Sequence, residues 1–133
     1  MPGKFVMANE TKPDVLDWGK MGWYANPPTT GAKLLTVIDV TLRPGKGHDF
    51  HKHPDQEEVI YVAGGEIEQW VDREKRILRP GDSAFIPADM VHASFNVSDR
   101  DAKIVAILGP CVGPVGYEVV DVSGEAPWKT LRK

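Results

Sequence analysis

The stretch from Gly45 to Gly65, GKGHDFHKHPDQEEVIYVAGG, leaves this chain few folds to choose from. Residues two apart in an extended chain point to the same face, so His51 and His53 can look the same way. Glu58 follows at the start of EVIYV, a β-branched and aromatic run that reads as a strand. His92 opens HASFNV, a second strand-like run. Two imidazoles and a carboxylate can therefore converge from neighbouring strands, with a third imidazole downstream. Such a donor set suits a divalent transition metal. It demands a sheet closed on itself, so that polar side chains meet inside.

The rest of the chain reads as the wall of that barrel. KLLTVIDVTL over residues 33–42 is a strand, with Leu34, Thr36, Ile38, Val40 and Leu42 on one face. Glu57 to Ala63 and Glu66 to Val71 follow, separated by the turn Gly64-Gly65. Arg76–Leu78, Ser83–Pro87, His92–Val97, Lys103–Leu108 and Tyr117–Val122 are further short strands between Gly/Pro or charged turns. Many short strands with close-spaced turns and no long helix indicate an all-β sandwich or barrel. The expected organisation is a leading arm (residues 1–32), a barrel (33–122) and a short tail (123–133). In the arm, Asp14 to Met21 has room for a turn of helix. Trp18, Trp23 and Tyr24, with Trp128 in the tail, are expected to pack on the barrel or on a partner rather than on a ligand.

Composition narrows the functional classes. With 133 residues, 41% apolar and 26% charged, the chain suits one globular domain. A net charge of −3 gives no nucleic-acid footprint. No apolar run approaches the ~18 residues of a membrane span. The N-terminus is too polar for a signal peptide, so a cytoplasmic location is expected. The single cysteine, Cys111, excludes an internal disulfide framework and is read as packing.

Two spacings carry a resemblance to a known family. Gly45, His51, His53, Glu58 and Gly65 are similar to the first motif of the cupin superfamily. Gly81, Pro87, His92 and Asn96 match its second motif, with Asp89 where a glycine is expected. Asp tolerates the left-handed conformation better than most residues. Periodicity alone leaves Glu57 and Glu58 both open as the ligand, because it does not say which face is inward. The EEVxYV form of the motif points to Glu58. The resemblance implies a double-stranded β-helix, a jelly-roll-like cupin barrel. It also implies one divalent metal (Mn, Fe, Ni, Co, Cu or Zn) held by His51, His53, Glu58 and His92, and a homodimer.

What the resemblance implies about activity is broader. The first expectation is a dioxygenase-like oxidoreductase acting on a small enolisable substrate, with Glu58 both ligand and catalytic base. The alternatives are a metal-assisted isomerase, decarboxylase or lyase on a small sugar or keto/hydroxy acid, and a non-catalytic small-ligand-binding cupin. No nucleic-acid or membrane partner is expected. His48, outside the motif, reads as a plain solvated histidine. Gln69 shares a face with Ile67 and Val71; if that face is inward, Gln69 either orients a substrate or water or makes a structural hydrogen bond. Phe85 and Phe95 are open between pocket and outer surface.

Overall fold

Alternation fixes each strand's inward face, and the long strands show it residue by residue. In the computed structural model, which describes residues 3–132, Ala102, Ile104, Ala106 and Leu108 are buried while their neighbours between them are half-buried. Met1, Pro2 and Lys133, at the outer ends of the expected arm and tail, lie outside the described residues.

The strands are β1 (Asp14–Leu16), β2 (Gly19–Ala25), β3 (Thr36–Leu42), β4 (Gly47–Lys52), β5 (Glu57–Gly64), β6 (Ile67–Val71), β7 (Glu74–Leu78), β8 (Ser83–Ile86), β9 (His92–Phe95), β10 (Ala102–Gly109) and β11 (Val120–Asp121). Two four-residue helices, α1 (Pro27–Thr30) and α2 (Trp128–Leu131), complete the framework. One sheet runs β1-β2-β3-β10-β5-β8 and the other β11-β4-β9-β6-β7. Every strand pairing is antiparallel. The two sheets face each other across a core built on Ile38, Leu42, Val62, Ile67, Ile104 and Leu108. This is the double-stranded β-helix expected from the sequence.

The arm differs in kind from expectation. Asp14 to Met21 forms a β-hairpin, not a helical turn, and β2 pairs with β3 along its length. Gly19 permits this contact: a Cβ there would lie 1.8 Å from the Thr41 carbonyl oxygen. Residues 14–25 are thus part of the barrel wall, and Met21 joins the core. Leu34 also departs from expectation. It stands outside β3 and is 74% exposed, whereas Thr36, Ile38, Val40 and Leu42 are buried as the alternation requires. Only Val120–Asp121 of the expected strand over residues 117–122 forms.

A second apolar cluster lies on the outside of the smaller sheet. Phe50, Trp70, Ala93 and Phe95 point away from the barrel interior and are covered by Val122 and by Trp128 and Leu131 of α2. Arg132 seals the edge, 3.6 Å from the Phe95 ring centre and 2.6 Å from a Glu68 carboxylate oxygen. Phe95 therefore packs outside the barrel, and Phe85 stays 56% exposed on the other sheet.

Candidate metal centre

Each candidate ligand is fixed by a strand or by the turn that closes it. His51 sits on β4 opposite His92 on β9. His53 follows in the turn after β4, and Glu58 faces inward from β5 in the opposite sheet. All four are buried, whereas Glu57 is exposed. The pleat decides between the two glutamates: β5 buries Glu58, Ile60 and Val62 and turns Glu57 and Tyr61 outward. Asp89 takes the left-handed conformation, φ 67°, that its glycine-like position demands. Its N–H donates to the His53 carbonyl at 2.9 Å, which ties that loop to the site.

The three imidazoles are held alike. The Nδ1 atoms of His51, His53 and His92 lie 2.6, 2.7 and 3.0 Å from the carbonyl oxygens of Asp49, Glu118 and Met90. A carbonyl only accepts, so each Nδ1 carries the hydrogen. Nε2 is then the nitrogen left to face the interior as a ligand atom. Backbone carbonyls behind the rings are the usual way to orient imidazole ligands. One ligand nitrogen from each ring lies within 4.8 Å of the others.

Glu58 completes the set. Its Oε1 lies 3.3 Å from His53 Nε2 and 2.8 Å from His92 Nε2. As a carboxylate, Glu58 is an acceptor only. The 2.8 Å contact is short enough for a hydrogen bond, yet Glu58 Oε1 and His92 Nε2 both lack a hydrogen-bond partner. Two lone pairs face each other in a dry interior. A cation between them resolves that conflict, and three imidazole nitrogens with one carboxylate suit a divalent transition ion. The residues present fit the metal that the sequence implied.

The fourth histidine corrects the sequence reading. His48 is not plainly solvated. It is half-buried, with its ring 3.6 Å from that of His51 and tilted by 11°. Trp18 stacks on it at 5.0 Å. Burial first, and the neighbouring His92 next, lower His48 to about 4, so it is neutral at neutral pH. Burial likewise holds His51 well below the ordinary histidine range, reinforced by His48, His92 and His53. β4 pairs with β9 through a register shift between His48 and His51. That irregularity brings His48 over His51, and its signal is absent from a period-two reading of the sequence.

The sequence places Tyr117 at the start of a strand. It lies instead on the segment from Pro110 to Glu118, anchored by a buried Gln56. Gln56 Nε2 donates to the carbonyls of Pro110 (2.8 Å) and Gly116 (2.9 Å), and its Oε1 accepts from the Glu118 N–H (3.3 Å). The Thr36 hydroxyl also donates to Gly116. These bonds set the Tyr117 ring 5.0 Å from His53. Burial, with the Glu58 charge adding to it, raises the Tyr117 phenol above its ordinary value, so it remains a hydroxyl.

Gln69 faces inward, but it accepts from Ser94 Oγ at 2.5 Å and donates to the Trp70 carbonyl. Its amide is thus engaged in structural hydrogen bonds. Cys111 is half-buried and donates to the Leu35 carbonyl at 3.1 Å.

A family match now joins this geometry: the Cupin domain family covers residues 38–108. The chain belongs to the cupin family. Polyketide synthase CurC of Streptomyces cyaneus is 33% identical over 127 residues, 96% of this chain and 81% of that protein. Quercetin 2,3-dioxygenase of Bacillus subtilis is 33% identical over 60 residues, 45% of this cupin and 18% of that enzyme. Among solved structures, KdgF from Halomonas sp. superposes with a TM-score of 0.73 at 24% identity, covering 82% of this cupin and 94% of that chain. The last comparison speaks for the fold alone. Relatives of this cupin thus include enzymes, and its interior carries residues for a metal site.

Proposed function

We propose that this cupin is a metal-dependent enzyme of dioxygenase-like oxidoreductase type, acting on an enolisable substrate of polyketide kind. The observation that carries the metal reading is the pair of partnerless acceptors, Glu58 Oε1 and His92 Nε2, 2.8 Å apart beside His53. His51, His53, Glu58 and His92 would hold the ion. When bound, a divalent ion supplies Lewis acidity toward a carbonyl or enol oxygen and, if redox-active, electron chemistry with O₂.

The chain's own residues account for the rest. Apolar side chains such as Ile38, Val40, Ile60 and Ile104 wall the cavity and exclude bulk water. The backbone carbonyls of Asp49, Glu118 and Met90 keep the three rings turned inward. The Glu58 carboxylate is the base within the site for the proton of an enolisable carbon or enol hydroxyl. Support for the substrate class comes from CurC, similar over nearly the whole chain, and from quercetin dioxygenase, similar over 60 residues.

A second reading is metal-assisted chemistry without O₂, such as cyclisation, isomerisation or decarboxylation through an enolate. It is supported by the similarity to CurC, which is named a polyketide synthase. Metal analysis of the purified protein, followed by oxygen uptake with an aromatic 1,3-dicarbonyl probe, separates the two. Stoichiometric Mn, Fe, Ni, Co or Cu with probe-dependent oxygen uptake supports the oxidoreductase. Conversion of the probe without oxygen uptake supports the second reading. A protein that neither carries nor takes up a divalent ion removes both. The homodimer is proposed as well, and light scattering reads it directly.

A further inference from the structure

The cavity above the candidate metal centre is small. Its free volume is about 30 Å³. A water needs roughly 10–15 Å³ measured in this way, so two or three water-sized occupants fill it. Two oxygen atoms of a chelating enol fit, but the carbon body of an organic substrate does not. That body must lie outward, along the way in.

The lining residues mark the way in. His51, His53, Glu58, Ser94 and the apolar wall are buried, and only Trp18, His48 and Tyr117 keep solvent exposure. These three form an aromatic rim. Trp18 and His51 stack on the two faces of His48, each tilted by 11°, so the stack turns its edges, with the His48 ring nitrogens among them, toward the mouth. Tyr117 stands nearby, its ring backed edge-on by Trp23 at 5.9 Å. Among the described residues, neither the His48 ring nitrogens nor the Tyr117 hydroxyl has a protein hydrogen-bond partner. Two polar groups without partners thus stand at the mouth of a cavity whose wall is otherwise apolar.

We propose that Trp18, His48 and Tyr117 are the specificity-determining rim of this site, and that they select a planar, conjugated enol whose ring packs against the edges of the Trp18–His48 stack while its oxygen substituents hydrogen-bond to His48 and Tyr117. The proposal rests on the metal-dependent reading above and adds where the substrate's body lies. Flat aromatic faces favour offset or edge-on partners that are themselves flat. A sugar or a small hydroxy acid offers no such face. The rim therefore discriminates by shape as well as by hydrogen bonding.

Two probes separate the rim from the metal. Acetylacetone carries the O–C–C–C–O chelating unit alone, and 1-hydroxy-2-acetonaphthone carries the same kind of unit on a planar bicycle. Binding of each to the metal-loaded protein is measured by titration calorimetry, with metal content determined in parallel. The naphthone is expected to bind about tenfold more tightly than acetylacetone. Trp18→Ala and His48→Ala should abolish most of that preference with metal content intact, and Trp18→Phe should retain it. Tyr117→Phe, which removes only the hydroxyl, should weaken the naphthone several-fold and carries the test if Trp18→Ala does not fold. Equal affinities in the wild type, or a preference that survives all these changes, overturns the rim. Failure of both probes to bind a metal-loaded protein instead counts against the metal-dependent reading, and absence of a bound ion does so before any probe is added.

Discussion

The conflict between Glu58 and His92 makes a prediction that runs against ordinary expectation for a buried ionised residue. Glu58 Oε1 and His92 Nε2 lie 2.8 Å apart and neither has a hydrogen-bond partner. A buried polar atom without a partner costs about 1–3 kcal/mol, so the pair destabilises the metal-free fold by about 2–6 kcal/mol. Glu58→Gln places an amide N–H₂ within reach of His92 Nε2 and removes a buried charge at nearly constant volume. Recovering about 2 kcal/mol is a conservative expectation. Unfolding entropy for 133 residues is about 0.28 kcal/mol/K, which converts that gain into a rise of about 7 °C in Tm. The assay is thermal unfolding of chelator-treated wild type and variant, repeated with a saturating divalent ion. Metal-free Glu58→Gln should melt above metal-free wild type, and added metal should raise its Tm less. A variant that melts below wild type without metal would refute the reasoning. It would mean that Glu58 is satisfied by a protonated imidazole in a structural ion pair, and that the site is not built around an ion.

Four further outcomes follow from the same structure. His53→Ala and Glu58→Ala should each reduce bound metal to well below stoichiometric in elemental analysis, whereas Glu57→Ala, altering an exposed side chain, should leave it unchanged. Gln56→Ala leaves the Pro110 and Gly116 carbonyls without their amide donor and should lower stability by about 2–3 kcal/mol in denaturant unfolding, with loss of order around Tyr117. Burial raises the Glu68 carboxyl, but hydrogen bonds from Arg132 and the Trp70 indole outweigh it and hold it below the ordinary 4.5. A depressed carboxyl contributes stability above its unfolded value that is lost as pH falls through the folded one, so Glu68→Gln should flatten the acid limb of the stability profile below about pH 4.5. Trp128→Ala uncovers Phe50, whose neighbour in β4 is His51, and should cost about 3 kcal/mol by thermal unfolding.

The barrel and the four candidate ligands were legible because both are written in local periodicity. His51 and His53 stand two apart, β5 alternates cleanly, and Pro44-Gly45, Gly64-Gly65 and Pro80-Gly81 punctuate the strands. The choice of Glu58 over Glu57 needed the resemblance, since alternation gives two faces without saying which is inward. Asp89 could be read through its tolerance of the left-handed conformation, which is the one it adopts. The arm was harder. Asp14 to Met21 has no strong β signature, and its strand character comes from pairing with β3, where Gly19 lets the Thr41 carbonyl approach.

The rim was illegible for a different reason: none of its three members is placed by its own strand's period. Trp18 comes from the hairpin turn between β1 and β2, His48 from the irregular half of β4, and Tyr117 from a segment pinned by Gln56, 61 positions earlier in the chain. Each is brought to the mouth by long-range hydrogen bonding or sheet pairing, and only their meeting makes a site. The buried ligands, by contrast, follow from two short motifs. A motif can therefore report that residues for a metal site are brought together, while what would be presented to an ion there is decided by the segments crossing the barrel's mouth. Exchanging those three side chains should change which enol binds without changing whether an ion does.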